Sequence, residues 1–378
     1  MVLSMNTSKT KNDIDIVYAS NDGYRPLLDN LINYGNTNII DFEDINSSEI
    51  CNFTRYACKN LPKKECILLV HLTEAFSSVY WNIVLDILQN DGYKKVVWVD
   101  GGLTPGYMLR HTKDLTISHK TSTYFFTRLL NEKSDTYNDT LEFKQRIFHF
   151  LSLGRFTRME RVYFTNKILD DPDLYGKGIV SCGWGGNDKN NIWQDNHNRG
   201  IAEKIVGKNI DKFPISLGDV DDQQYDLLHD FDLAVYNIVQ ESSIGFNSAS
   251  HLSSYSTEPF WNTIESDRHF FTEKTAKAFL MGQVPLFIAT PGYVEELRKL
   301  GFDMFDDVVN HEYDKEDFVL LRCKRVYQEL KRLSLQDITQ LNYQVKKKLM
   351  KRLQNNLNLL KKLGNEKNLE EWINNQIA

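Results

Sequence analysis

The 378-residue sequence predicts an α/β protein of two domains, and three observations carry that reading. Short apolar, β-branched runs alternate with stretches of helical spacing, the pattern of βαβ units around a mainly parallel sheet. The alternation occurs twice, on either side of a polar stretch at 132–140. The chain is also longer than the roughly 250–300 residues at which a single core stops growing.

Residues 14–19 read as the first strand, closed by the turn Ser20-Asn21-Asp22-Gly23. Helical spacing follows at 26–34, then a strand at 38–42. The apolar run 66–72 reads as a strand buried on both faces, followed by a helix through 80–90. A further strand at 95–99 ends at Asp100-Gly101-Gly102. Beyond the polar stretch, 146–153 opens a second α/β set. A helix towards Leu169 and strands at 179–182, 232–239 and 284–289 continue it. The domains expected are 1–140, 141–334 and a helical C-terminal segment at 335–378. Within that segment Leu341, Val345, Leu349, Leu353, Leu357 and Leu360 mark the apolar stripe of one amphipathic helix with a lysine-rich outer face. A terminal helix packed on a domain accounts for it, and so does contact with a membrane surface or DNA phosphates.

Composition narrows the classes. Hydrophobic residues make up 41% and aromatics 12%, enough for substantial cores and unlike a disordered chain. A net charge of −6 argues against a dedicated nucleic-acid binder. Five cysteines without metal-ligand spacing read as reduced thiols of a cytoplasm. No window reaches the apolar length of a membrane span. The N-terminal residues 1–13 are polar, without the apolar core of a signal peptide.

The chemistry concentrates at Phe271-Thr272-Glu273-Lys274, which opens a short amphipathic helix ending at Gly282-Gln283-Val284-Pro285. Thr272 can cap the free N–H groups of that helix. Its positive dipole end and Lys274 favour a phosphate, while Glu273 can accept hydrogen bonds from a ribose or sugar hydroxyl. An ordinary capped helix with a solvated Glu–Lys pair explains the spacing equally well. Arg155, Arg158 and Arg161 follow the end of a strand, where open sheets bind ligands and where arginine can grip a diphosphate bidentately. Exposed arginines of a first helical turn are the alternative. Asp219-Val220-Asp221-Asp222 reads as a solvated acidic turn, Asp195-Asn196-His197-Asn198 matches a nuclease motif only by letters, and Trp184-Gly185-Gly186-Asn187 reads as a turn or a cleft lining.

The aromatic-Thr-Glu-Lys and Gly-x-Val-Pro runs resemble the donor-binding motif of α1,3-fucosyltransferases and related GT-B glycosyltransferases. Gln240-Glu241-Ser242-Ser243 is similar to that family's Glu-Asn-Ser step, here followed by an insert at about 244–269. Thr73-Glu74-Ala75-Phe76-Ser77-Ser78 resembles the strand end that carries the family's proposed base. The likeness covers 148–313 best and the first half only around Glu74. It implies two Rossmann-like domains facing across a cleft. It further implies an inverting, metal-independent transfer with no resident cofactor, from a nucleotide-diphosphate sugar, GDP-linked by preference, to a glycan or other hydroxyl. On that likeness Glu74 is the base, with Asp100 and Asp22 in reserve. Arg155 and Arg158 hold the diphosphate, Lys274 a phosphate and Glu273 the ribose, and Glu241 orients the sugar or the donor loop. The absence of an apolar leader resembles the soluble microbial or viral forms. Two further readings keep the fold: a viral enzyme glycosylating modified DNA bases, and a nucleotide-sugar-binding protein without catalysis.

Overall fold

A computed structural model describes residues 5–10, 12–19, 31, 36–42, 45, 49–71, 78–100, 114–121, 140–154, 159–182, 233–241 and 271–378. The fold is mixed α/β, with a six-stranded and a four-stranded sheet. The chain divides into two compact units. One comprises 1–133, 266–272 and 361–378, the other 134–265 and 273–360.

The first sheet has the strand order β1 (Asn6–Lys9), β2 (Asp15–Tyr18), β3 (Thr37–Asp41), β4 (Cys66–His71), β5 (Lys95–Asp100) and β6 (Thr116–Thr121). All neighbours are parallel except the β1–β2 pair. The strands expected at 38–42, 66–72 and 95–99 are β3, β4 and β5. Strands β1 and β6 escape the hydrophobic pattern because Asn-Thr-Ser-Lys and Thr-Ile-Ser-His-Lys-Thr carry too few apolar residues to signal burial. Polar, lysine-ended β1 suits a sheet edge.

Period-two alternation sends two sets of side chains to opposite faces. Val17, Ile40, Ile67, Leu69, Val96 and Trp98 meet helices α1 (Ile50–Asn60) and α2 (Ser78–Asn90) on one face. Both crossovers, β3 to β4 and β4 to β5, advance in the same direction, so the right-handed rule places both helices there. Trp81 of α2 lies 4.1 Å from Trp98 and 5.6 Å from Phe42 between ring centroids, a cluster worth about 0.5–1.5 kcal/mol per aromatic pair beyond its area. The opposite face, with Ile16, Ile39, Leu68, Val70, Val97 and Val99, is covered from the far end of the chain. Leu369, Ile373 and Ile377, one helical turn apart, project from the last helix.

The second sheet consists of β7 (Phe148–Gly154), β8 (Gly178–Cys182), β9 (Ala234–Gln240) and β10 (Val284–Ile288), all parallel, in the order β10-β9-β7-β8. The second α/β set expected from 146 onward is this sheet. Between its strands run α3 (Met159–Leu169), the one-turn α4 (Pro172–Tyr175) and α5 (Glu273–Leu280). Then come α6 (Tyr293–Leu300) and α7 (Val319–Leu333). Buried Arg146 ties the entry of the sheet together, donating to the carbonyls of Ala234 at 3.0 Å, Met281 at 3.1 Å and Gly282 at 3.4 Å. Its backbone exchanges two 2.8 Å hydrogen bonds with the Asn342 side chain.

The C-terminal segment is not one helix. Residues 335–360 belong to the second unit and 361–378 to the first. Helix α8 (Ile338–Gln344) passes through a π turn at Val345–Leu349 into α9 (Met350–Leu363), and α10 (Glu366–Ile377) follows. Leu341, Val345, Leu349, Leu353 and Leu357 recur at every fourth position and are all buried. At 3.6 residues per turn such a stripe drifts about 40° per step. One wide turn absorbs the drift and returns the stripe to the core. Among the described residues no helix is long and apolar enough to cross a membrane.

Candidate functional site in the second sheet

The order of the second sheet contains a reversal. From β7 the chain moves to β8 on one side, then crosses to β9 on the other side of β7 and continues outward to β10. Such a reversal in strand order is the switch point at whose carboxyl ends open α/β sheets bind ligands.

Gly154 ends β7 and Gln240 ends β9 at this point. The Gln240 amide nitrogen donates to Ser152 Oγ at 2.9 Å, while its Oε1 is buried without a hydrogen-bond partner among the described residues. A Cβ at Gly154 would stand 3.6 Å from that oxygen and 3.6 Å from Arg161 Cδ, so a larger side chain would fill the notch. Arg161, on the first turn of α3 and 2% exposed, donates from Nη2 to the Gln240 carbonyl at 3.1 Å. Of the three arginines after β7 it is the one within the described residues, and it is turned inward. Arg155 and Arg158 lie outside them, as do Glu74, Asp22, the Trp184 turn, Asp195–Asn198, Asp219–Asp222 and the whole 244–269 insert.

The next residue, Glu241, anchors the helix that carries the Thr-Glu-Lys run. Its backbone N–H donates to Ile288 O at 3.0 Å, extending the β9–β10 pairing. Its carboxylate accepts from Thr275 Oγ1 on α5 at 2.5 Å and from the Tyr293 hydroxyl on α6 at 3.3 Å. Thr275 and Tyr293 are themselves 2.9 Å apart, and all three side chains are buried. Burial, and then the nearby Glu241 charge, push the Tyr293 phenol well above its ordinary value, so it stays protonated as a donor. Glu241 is thus a positioning group that fixes the amino end of α5 to the carboxyl edge of the sheet.

Helix α5 begins at Glu273, immediately after Thr272, and Lys274 lies half-buried in its first turn. The Glu273 side chain is outside the described set. Gly282 follows the helix with φ of 59°, the left-handed conformation that stops a helix at no cost to glycine. Gln283 clamps the sheet below, donating to Ala234 O at 3.1 Å and accepting from Asn237 at 2.8 Å. Pro285 sits in β10, the outermost described strand, where a missing N–H is tolerated. Gly282, Gln283 and Pro285 therefore have backbone and packing reasons to be what they are. Gln240 and Glu241 stand at the carboxyl end of β9, and Lys274 in the first turn of α5.

In the first unit the reserve base Asp100 ends β5, fully buried, with Oδ1 3.0 Å from His119 Nε2 on β6. The cysteines are free thiols. Burial holds Cys58 and Cys182 up at about 12, so neither supplies a nucleophile at neutral pH.

Sequence reading missed Thr275, Tyr293, Ser152 and the inward role of Arg161. Thr275 lies inside the motif but reads as an ordinary helical residue. The other three become neighbours of Gln240–Glu241 only through strand order. The chain matches no protein-family model, no curated protein and no solved structure.

Proposed function

We propose that the protein is a GT-B glycosyltransferase, with a nucleotide-diphosphate sugar held at the carboxyl edge of the second sheet. The observation that supports this most directly is a coincidence of position. The chain reverses between β7 and β9, and Glu241 joins the amino end of α5 to that same edge. The fucosyltransferase-like motif thereby lies at the end of the sheet where the strand order reverses.

In this reading the diphosphate is met by Arg155 and Arg158 and by Lys274 with the N–H groups of α5, while Glu273 takes the ribose. The donor is GDP-linked by preference. Gln240 Oε1, buried and unpaired among the described residues, is available to a donor group of the ligand. In an inverting transfer the acceptor hydroxyl oxygen attacks the anomeric carbon as Glu74 accepts its proton. The bond to the diphosphate oxygen breaks, and the departing charge is stabilised by the basic groups.

Thermal-shift measurements with GDP, UDP, ADP and CMP, each with and without EDTA, test the proposal on wild type and Lys274→Ala. One diphosphate should raise Tm selectively, with the shift insensitive to EDTA and reduced in the variant. A flat response to all four nucleotides rules the reading out.

A further inference from the structure

The segment from Ile338 to Leu363 contains seven Lys and Arg residues and no Asp or Glu, in a chain whose net charge is −6. Arg352 is neutralised by Asp303 and Asp307, the latter at 2.7 Å. Lys346, Lys347 and Lys348 stand exposed on the π turn, and among the described residues no carboxylate lies within ion-pair distance of them. Lys346 instead lies over the Phe143 ring at 5.4 Å.

Large apolar side chains stand exposed beside this charge. Leu335 is 74% exposed, Tyr343 64% and Ile147 60%, the three highest values among the described large hydrophobic residues. Hydrogen bonds join the three chain segments that carry them. Ile147 follows Arg146 and Tyr343 follows Asn342, the two residues joined by reciprocal hydrogen bonds. Leu335 precedes Gln336, whose carbonyl lies 2.8 Å from His149 Nε2. The patch lies at the amino edge of the sheet. The candidate site is at the carboxyl edge, about 20 Å away by the rise of a seven-residue strand.

We propose that this surface docks the protein onto an anionic lipid bilayer, with Leu335, Tyr343 and Ile147 entering the interface and Lys346, Lys347 and Lys348 meeting the headgroups. Nucleic-acid phosphates would use the lysines but give the apolar side chains nothing to bury, whereas a bilayer interface takes both. The geometry leaves the carboxyl edge of the sheet turned away from the lipid. The inference stands on the patch alone and does not depend on a nucleotide being bound.

Cosedimentation of the full chain with phosphatidylcholine vesicles, with and without a minor fraction of phosphatidylserine, tests it. The protein should sediment with the anionic vesicles and remain in solution with the neutral ones. A Lys346→Gln/Lys347→Gln/Lys348→Gln variant should lose on the order of a hundredfold in partitioning, about fivefold per lysine. Leu335→Ser/Tyr343→Ser should lose about tenfold at unchanged Tm, since both residues are exposed. Sedimentation with neither vesicle, equal sedimentation with both, or indifference to the apolar variant overturns the proposal. Duplex DNA binding by fluorescence anisotropy that needs the lysines but not Leu335 and Tyr343 would assign the patch to nucleic acid instead.

Discussion

The two sheets are built from the same material and differ in how the chain threads them. In the first, the described strands advance one neighbour at a time from β1 to β6 and never reverse. The crossovers from β3 to β4 and from β4 to β5 lay their helices on one face, and the other face is closed by a helix from the far end of the chain. In the second, the chain turns back across β7, and the strand order reverses between β7 and β9. Apolar strands alone do not make a ligand site. Strand order does, because it decides whether adjacent loops run together or part.

The comparison can be broken first at Arg146, the staple of the second sheet. Arg146→Met leaves the buried carbonyls of Ala234, Met281 and Gly282 without that donor and should destabilise the second unit by about 3–5 kcal/mol. Urea unfolding followed by hydrogen exchange would locate the loss in β7, β9 and β10. Equal loss of protection in both units would mean that they do not unfold separately.

Ile373→Ala is the counterpart in the first unit. It opens a cavity under α10 against the strand face and should cost about 2–4 kcal/mol, lowering protection in β3 to β5 first. A stability change below about 0.5 kcal/mol would show that α10 is not needed to cover that face.

A smaller effect is expected at Gly178, where an added Cβ would overlap the Phe150 ring. Gly178→Ala should lower stability by about 1–3 kcal/mol, and a compensating Phe150→Leu should recover part of it in a double-mutant cycle.

The smallest effect is one of pH. His311 is buried, its Nδ1 2.7 Å from the Tyr313 hydroxyl and its Nε2 2.7 Å from Met304 O. Burial is the main reason its pKa is lowered from 6.5. The unfolded chain therefore takes up a proton that the folded one resists. The contribution is full above pH 6.5 and is lost as pH falls through 6.5 towards the lower folded value. Thermal melts from pH 7.5 to about pH 5 should show the second unit weakening, with a flatter dependence in His311→Gln. Identical slopes in wild type and variant would assign the acid sensitivity to other groups.

Much of this was legible in the chain itself. The apolar runs at 38–42, 66–72 and 95–99 read as strands, and β3, β4 and β5 stand there. Gly282 announced the end of α5 because few other residues accept its backbone conformation. The polar strands β1 and β6 were invisible, since pairing with a neighbour places them rather than any burial pattern of their own. The repeat of Leu341, Val345, Leu349, Leu353 and Leu357 pointed to one amphipathic helix. A strict four-residue repeat does not fit 3.6 residues per turn, and the structure resolves the mismatch with a π turn.

By itself, then, the sequence determined the α/β class and most strand positions, because hydrophobic period is a local property. Only the tertiary structure decided that Glu241 would be held by Thr275 and Tyr293 and that Arg161 would turn inward. It also decided that residues 361–378 would complete the first unit rather than stand apart. Those pairings join residues far apart along the chain, and strand order, which no local pattern encodes, brings them together.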